Sequence, residues 1–381
     1  MSRVIGFLRR EKVFSISLVL AIVSLPLNLS GFPYVGYIDG DVIMLLFALM
    51  GVVAGFRAIG TFDALARALL ARAHNVRRFA FIMMSLCFFL SMLVTNDVAL
   101  ITLVPLTLSA IAMTAPEAII PIVTLETIAA NLGSMATPMG NPQNLYIYTA
   151  YGLSGAEFIR IMLPLTALSY VLLALCCLKL KRQPLTVPTH LRAGQDLPGI
   201  DSSRAPLKLN RNALMAAYAL LAVVCLLALM RVIPKYVCCL VVLVALAVIA
   251  PRVLAKIDYA LLATFACFFI FVGNVGAIPA VSTLLGEVIA GREMLLGALL
   301  SQVISNVPAT FMLAPFASDI PALLRGVNLG GLGTPVASLA SLISLKYYMC
   351  LPNSDMRRFM RVFLVLNFAF LAVLLLCTLV V

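Results

Sequence analysis

Charge is scarce in this chain of 381 residues, and tryptophan is absent. Only 11% of the residues are charged, whereas 63% are hydrophobic. A soluble globule of this size needs far more polar surface to cover its core, so the composition excludes that class of protein. The chain is predicted to be an integral membrane protein, with the lipid bilayer as its surroundings.

Motifs that carry enzyme chemistry are missing too. The sequence has no HExxH, no phosphate-binding loop and no GxSxG, and its two histidines, His74 and His190, lie in polar segments. The nine cysteines show no CxxC spacing and fall mostly within apolar runs, where free cysteine behaves as a small hydrophobe. We expect no catalytic residue, no cofactor and no metal site beyond one for Na⁺.

The net charge of +12 does not predict a nucleic-acid partner, because the basic residues lie in short segments between apolar runs. Such residues mark cytoplasmic loops under the positive-inside rule. With the N-terminus inside, all but five of the 27 basic residues fall on the cytoplasmic side or at its edge. The exceptions are Arg160, Arg231, Lys235, Arg292 and Arg325.

A pair of unusual peptides is repeated about half the chain apart. Residues 131–138 read NLGSMATP and residues 328–335 read NLGGLGTP. Each follows a second matched peptide, TNDVALITLVPL from Thr95 or SNVPATFMLAPF from Ser305. Hydrophobic segments interrupted by Gly and Pro in corresponding halves indicate the broken helices at the binding site of secondary transporters.

The apolar runs divide the chain into two repeats, residues 1–181 and 231–381. The polar stretch 182–211 is predicted to be a cytoplasmic linker, and residues 212–230 a connecting transmembrane helix. Besides its spans, each repeat is expected to hold one re-entrant hairpin and one broken helix. The hairpins are placed at 79–113 and 293–318, and the broken helices at 116–150 and 319–349.

The predicted fold class is an all-α integral membrane protein with two inverted repeats, each with a re-entrant helical hairpin and a broken transmembrane helix. The connecting helix makes the number of crossings before the second half odd, so that half is inserted upside down. We expect a multi-pass protein of the inner membrane. Its N-terminus and the 182–211 segment are expected to be cytoplasmic and its C-terminus external.

The hairpin tips and helix breaks form the candidate binding site. Within each half the tip is expected to lie beside the break, so that each pair holds one hard cation through carbonyl, amide and hydroxyl oxygens. The N-termini of half-helices offer N–H groups to an anion. The candidate residues are Thr95, Asn96, Asp97, Thr137, Pro138, Gly140 and Asn141 in the first half, and Ser305, Asn306, Gly331, Gly333 and Thr334 in the second.

Ionisable side chains at membrane depth are few. Burying one costs ~2.5–3.5 kcal/mol on insertion scales, so each is a functional candidate. Asp97 lies at the first tip where the second tip has Val307, and it can bind a cation or exchange a proton. Glu126 and Arg325 precede the repeated asparagine of their halves. They form either a structural ion pair across the repeat axis or part of the coupling or substrate site.

The peptides TNDVALITLVPL and NLGSMATPMGNPQNLYIY resemble the signature of the ion transporter superfamily, especially arsenite pump membrane subunits and D-type sodium/proton antiporters. Their second-half counterparts extend the resemblance over nearly the whole chain. It implies the fold of the divalent anion/sodium symporters, an elevator-type motion and a homodimer. Those relatives carry Ser-Asn-Thr at both tips, which implies substrate contacts at Thr95, Asn96, Ser305 and Asn306. The third hydroxyl is lost at both tips.

Three hypotheses about function follow. In the first, the protein is a secondary active transporter that moves a small anion, an oxyanion or a carboxylate, coupled to Na⁺ or H⁺ by elevator-type alternating access. In the second, it is a Na⁺/H⁺ antiporter in which Asp97 is the exchanging carboxylate. The third is a non-transporting membrane enzyme or scaffold, for which replacing Asn96 or Asn306 would leave activity intact.

Overall fold

The computed structural model describes residues 11–27, 34–70, 72–185, 210–352 and 354–378. Within these ranges the chain is built from helices, and the only extended pairing is an isolated bridge between Asn75 and Pro184. Six of the described helices are long and apolar enough to cross a bilayer. The chain is therefore an all-α, multi-pass membrane protein.

The first half contains two spans, a short surface helix, a hairpin, a broken helix and a closing span. The hairpin is α5–α6 and the broken helix is α7–α8. The helices are α1 (Lys12–Ser24), α2 (Tyr34–Tyr37), α3 (Gly40–Ala58), α4 (Thr61–Leu70), α5 (Val76–Leu93), α6 (Asn96–Ile111), α7 (Ile119–Ser134), α8 (Pro142–Ala150) and α9 (Gly155–Leu178).

The second half repeats this order after the connecting helix α10 (Arg211–Leu229). Its hairpin is α15–α16 and its broken helix is α17–α18. The helices are α11 (Lys235–Ile249), α12 (Pro251–Leu254), α13 (Tyr259–Gly276), α14 (Pro279–Ile289), α15 (Glu293–Ile304), α16 (Asn306–Leu313), α17 (Ile320–Leu329), α18 (Leu339–Met349) and α19 (Met356–Cys377). Helix α14, the counterpart of α4, was not predicted from the sequence.

The predicted linker is only partly described, since residues 186–209 lie outside the described ranges, as do residues 1–10 and 379–381 of the two ends. Its first residues are tied to the start of α5. The Val76 N–H donates to the Gln183 carbonyl at 2.9 Å, and the Leu185 N–H donates to the His74 carbonyl at 3.1 Å. The first repeat is therefore closed on itself before the linker leaves it.

Glycines let the first arm of each hairpin lie close against the broken helix of the same half. A Cβ built on Gly133 of α7 would come within 2.1 Å of the Phe88 carbonyl oxygen of α5. A Cβ on Gly330, beside α17, would come within 2.7 Å of Ser301 Oγ on α15. Small residues permit this backbone approach, as is usual between membrane helices.

The helices form two groups, which we call the core and the frame. The core consists of both hairpins and both broken helices together with α9 and α19, while α1, α3, α10, α11 and α13 form the frame. Within the frame, α10 and α11 pack closely against the glycines of α3. Gly55 lies against Tyr218 of α10, and Gly51 lies against Leu246 of α11. The frame touches the core mainly where α3 meets α8 and where α13 meets α16.

The second hairpin contacts the frame through aromatic side chains. Phe311 of α16 stacks on Tyr146 of α8 with ring centroids 4.3 Å apart, and lies 4.8 Å from Phe265 of α13. Aromatic contacts of this kind add to the apolar area that the rings bury. The second hairpin is therefore packed directly against the frame. The first hairpin is separated from the frame by a cavity, which is described below.

Candidate functional site

The first tip lies beside the first break. The Asn96 N–H, which starts α6, donates to the Gly140 carbonyl at 3.2 Å. The Thr137 hydroxyl donates to the Met92 carbonyl at the end of α5 at 2.5 Å. Gly140 permits this arrangement because a Cβ there would lie 2.1 Å from the Ser134 carbonyl oxygen. The structure thus brings Asn96, Thr137 and Gly140 together.

The second tip meets the second break in the same way. The Thr334 hydroxyl donates to the Gln302 carbonyl at 2.9 Å, and the Ser305 hydroxyl donates to the Ala337 carbonyl at 3.4 Å. Ser305 turns the chain with a φ of 76°, a conformation that non-glycine residues seldom adopt. Asn306 and Gly331 are neighbours, since a Cβ on Gly331 would lie 2.9 Å from Asn306 Nδ2.

The repeated asparagine of each break connects the two halves. Asn131 accepts a hydrogen bond from Asn96 Nδ2 at 3.0 Å and another from the Ser338 hydroxyl at 2.9 Å. Its own amide donates to the Gly331 carbonyl at 3.4 Å. Asn131 therefore holds the first tip against the second break.

Asn328 makes the reciprocal connection. It accepts from Asn141 Nδ2 at 3.0 Å and donates to Asn144 Oδ1 at 2.7 Å. Sequence reasoning selected Asn141 but missed Asn131, Asn144 and Asn328. The asparagine shared by both NLG peptides was the signal that could have found two of them.

The carbonyl groups freed at the breaks are already bonded to side-chain amides. Asn144 Nδ2 donates to the carbonyls of Ser134 and Thr137 at 3.2 and 3.1 Å. At the second break Gln302 Nε2 donates to the carbonyls of Gly330 and Leu332 at 3.0 and 2.9 Å. These carbonyls were the expected cation ligands, and their bonds to amides leave the space between the tips as the candidate ion site.

The two tips converge on a small void of about 10 Å³. This volume is close to the minimum that holds one water molecule, and it suits a single small ion equally well. Asn96 and Asp97 reach it from the first half, and Asn306 and Val307 from the second. Its lining comprises Asn96, Asp97, Pro142, Gln143, Leu261, Asn306, Val307, Ser338 and Leu339.

Two oxygen atoms of residues around this void are buried with no hydrogen-bond partner in the structure, Asp97 Oδ1 and Gln143 Oε1. Buried polar atoms are nearly always paired, and a buried carboxylate strongly so. Both atoms are ligands of the type that hard cations prefer. Gln143, which is 1% exposed, was missed by sequence reasoning because it lies outside the duplicated peptide.

A larger cavity of about 1040 Å³ separates the first hairpin from the frame. Thr95, Asp97 and Asn141 line it at the tip, and it runs along α6 towards Ser109. It also reaches the charged residues Arg57, Asp63, Lys256 and Asp258. The cavity therefore gives the first tip a route to the ends of the frame helices.

Two further candidate residues lie away from the cavities. Pro138 is half-buried and lines neither cavity, and Gly333 lies against Gln302.

The cavity mouth holds a buried acid on α4. Asp63 is 5% exposed, and burial raises the pKa of its carboxyl although the nearby charges of Arg67 and Arg57 oppose the shift. Helix α4 spans only ten residues, too few to cross a bilayer.

The expected pairing of Glu126 with Arg325 does not occur in the structure. Glu126 is fully buried and accepts a hydrogen bond from the Thr107 hydroxyl of α6, and among the described residues it forms no ion pair. Arg325 is half-buried on α17. The ion-pair interpretation is wrong for this conformation because Glu126 is directed towards α6 within its own half.

With this geometry in place, comparison with known proteins identifies the family. Residues 4–340 match the family described as "Citrate transporter" (CitMHS). The chain belongs to this family. It is 34% identical over 314 residues to the inner membrane protein YbiR of Escherichia coli, with 81% of this chain and 80% of YbiR covered. It is also 29% identical over 325 residues to the uncharacterized transporter MJ0456 of Methanocaldococcus jannaschii, with 84% and 83% covered.

Among solved structures, the fold is similar to that of the YdaH transporter of Alcanivorax borkumensis. The TM-score is 0.51 at 17% identity, over 90% of this chain and 86% of that one. At this identity the similarity concerns the fold alone. Family membership and relatives establish that the chain is a membrane transporter of the ion transporter superfamily and that it is not an enzyme.

Proposed function

We propose that this member of the citrate transporter family moves a small anion, a carboxylate or an oxyanion, across the inner membrane in a step coupled to Na⁺ or H⁺. The observation that carries the proposal is the convergence of both hairpin tips on one void beside two unpartnered oxygens, Asp97 Oδ1 and Gln143 Oε1. The void is the ion site and the adjoining part of the large cavity is the substrate route.

The anion is bound from the second half and the cation from the first. Helix α16 begins at Asn306 and has no acidic residue in its first turn, so its N-terminal N–H groups and the Asn306 amide suit an anion. Helix α6 carries Asp97 in its first turn, which suits a cation. Asn96 and Ser338 both bond to Asn131 Oδ1 and line the void. The family description favours a carboxylate as the anion.

A second candidate function is Na⁺/H⁺ antiport without an anion. The unpartnered Asp97 oxygen favours it, because a carboxylate that faces a single-ion void can bind Na⁺ and H⁺ alternately. In that case Asp97 is the exchanging group, and the α16 terminus has no ligand.

Alternating access follows from movement of the core against the frame. The large cavity lies between these groups and reaches Arg57 and Lys256, which the positive-inside rule assigns to the cytoplasm. The conformation is then inward-facing, with the N-terminus and the 182–211 linker inside and the C-terminus outside. Residues 1–181 and 231–381 are the inverted repeats, 212–230 connects them, and the frame is the fixed part of a homodimeric elevator.

Proton flux in sealed proteoliposomes tests the proposal. The vesicles contain a pH-reporting dye, and a Na⁺ gradient is imposed first without an anion and then with citrate or an oxyanion such as arsenite. Flux that begins only when an anion is added supports anion transport, and the active anion identifies the substrate. Na⁺-driven proton flux without an anion that is lost in Asp97→Asn would establish the antiporter instead.

A further inference from the structure

The two tip-and-break units correspond residue by residue, which allows their differences to be located. The Thr137 hydroxyl donates to the Met92 carbonyl, and the Thr334 hydroxyl donates to the Gln302 carbonyl. Met92 and Gln302 each lie three residues before their tip, at Thr95 and Ser305. They are therefore equivalent positions of the inverted repeat, with different side chains.

The Gln302 side chain fills the second break. Its Nε2 donates to the carbonyls of Gly330 and Leu332, and also to that of Ala298 at 3.1 Å. Its Oε1 accepts from the Thr334 N–H at 2.9 Å. Gly333 is needed to admit it, since Gly333 has a φ of 102° and a Cβ there would lie 2.1 Å from Gln302 Oε1.

An amide NH₂ group in this position resembles a bound cation. It places partial positive charge between carbonyl oxygens at distances of 2.9 to 3.1 Å and uses their lone pairs. Carbonyls at a helix break are the groups that coordinate Na⁺ in transporters built from inverted repeats. A thioether donates no hydrogen bond, so Met92 does not play this part in the first half. There Asn144 Nδ2 donates to the carbonyls of Ser134 and Thr137, and the unpartnered oxygen of Asp97 remains as the ligand for a single cation.

We infer that the Gln302 amide occupies the cation position of the second helix break, so that this break takes no coupling ion and the protein binds at most one Na⁺ per chain. The inference rests on the proposed function in that it treats the break as a potential cation site. It names the residue that limits the number of coupling ions, and it replaces the expectation of one cation in each half.

The stoichiometry of Na⁺ binding to the purified wild-type protein tests this directly. Equilibrium binding of radioactive Na⁺ is expected to saturate at no more than one ion per chain. Saturation at two ions per chain would overturn the inference. This readout requires no transport, so it is separate from the proposed function, whose failure would appear as wild-type vesicles that move neither anion nor proton.

Gln302→Glu provides an independent test. The side chain keeps its shape, but an anionic oxygen replaces the NH₂ group that faces the carbonyls of Gly330 and Leu332. Such a cluster of oxygens needs a cation, so Na⁺ is expected to raise the unfolding temperature of this variant more than that of the wild type, whereas choline is not. Gln183→Glu makes the same chemical change at the linker and should add no Na⁺ response.

An unchanged Na⁺ response in Gln302→Glu would contradict the inference, because it would show that the Gln302 side chain does not lie in a cation-binding position. If this variant does not fold, the wild-type stoichiometry decides alone.

Discussion

The two tip-and-break units share a backbone plan and differ in chemistry. In both, a threonine hydroxyl of the break bonds to the last turn of the first hairpin arm, and a glycine admits that arm closely. At the tips, however, Asp97 in the first half corresponds to Val307 in the second. The duplication has thus kept the architecture in both halves, while the carboxylate occurs in one.

The surroundings of the two tips also differ, since a cavity adjoins the first tip and side chains pack closely around the second. The first tip borders the large cavity through Thr95 and Asp97, and its helix α6 lines that cavity along much of its length. At the second tip, Gln302 fills the adjoining break, and helix α16 is packed by aromatic rings around Phe311. A carboxylate with an unpartnered oxygen in the first half and a helix N-terminus without an acidic residue in the second half are suited to a cation and an anion, respectively.

Replacing Asp97, the carboxylate found at the first tip and not at the second, is expected to have the largest effect on transport. Asp97→Asn is expected to lower coupled flux in proteoliposomes by roughly 10- to 100-fold, because a bond to a charged group contributes ~1.5–3 kcal/mol. Glu287→Gln, which neutralises an exposed carboxylate on α14, is the control and should leave flux unchanged. Wild-type flux in Asp97→Asn would show that the ion is bound elsewhere.

Alanine at the equivalent glycines compares the packing of the two halves. Gly133→Ala should lower the free energy of unfolding by ~1–3 kcal/mol, since its Cβ meets a backbone carbonyl that cannot move away. Gly330→Ala should be milder because the backbone atom nearest to its Cβ, Ala298 Cα, lies at 2.9 Å rather than 2.1 Å. Thermal unfolding in detergent measures both, with Gly286→Ala, which has open space around it, as the control. A larger loss of stability in Gly330→Ala than in Gly133→Ala would contradict this expectation.

The asparagines that connect the halves should contribute similar energies. Asn131→Ala leaves the buried amide of Asn96 without its side-chain acceptor. Asn328→Ala removes the nearer of the two acceptors of the Asn141 amide, the other being Ser134 Oγ at 3.3 Å. Each loss is expected to destabilise the fold by ~1–3 kcal/mol. Unfolding temperatures of the single variants measure these losses. The double variant Asn141→Ala with Asn328→Ala tests the contact between these two residues, with Asn141→Ala as its second reference. If the effects of the two single substitutions simply add in the double variant, the contact contributes no stability.

The smallest expected effect concerns Asp63 at the cavity mouth. Because burial raises the pKa of this carboxyl, its contribution to stability is present below the ordinary value near 3.8 and is lost as pH rises through the raised value. Asp63→Asn should therefore be slightly more stable than wild type at neutral pH, and the difference should vanish in acid. A pH series of unfolding temperatures checks this. A stability advantage of Asp63→Asn over the wild type that increases as the pH falls would contradict this prediction.

The sequence predicted the hairpins, the broken helices and the connecting helix, because the ends of these elements have local causes, but it did not predict α14. Gly and Pro interrupt α7 and α17 near their repeated peptides, and the connecting helix predicted at 212–230 is α10, Arg211–Leu229. The tips were likewise marked by polar residues inside apolar runs. These signals are local, and the repeat supplied each of them twice.

Side-chain contacts between segments far apart in the sequence could not be predicted in this way. Gln302 and Gln143 lie outside the matched positions of the two peptides, and their importance depends on which carbonyls and cavities the folded chain brings to them. Glu126 and Arg325 looked like partners because they occupy similar positions in sequence, yet Glu126 is directed towards Thr107 of its own half. Equivalent position in a repeat predicts similar surroundings and does not predict contact.

If the two tips from opposite halves form one binding site, a double-mutant cycle on anion transport will show that Asn96 and Asn306 act together. Asn96→Ala, Asn306→Ala and the double variant are compared by anion-dependent flux at limiting substrate. Each single variant is expected to lose flux, and the fold-loss in the double variant is expected to be clearly smaller than the product of the two single losses. Independent, multiplicative losses, or wild-type flux in either single variant, would contradict it.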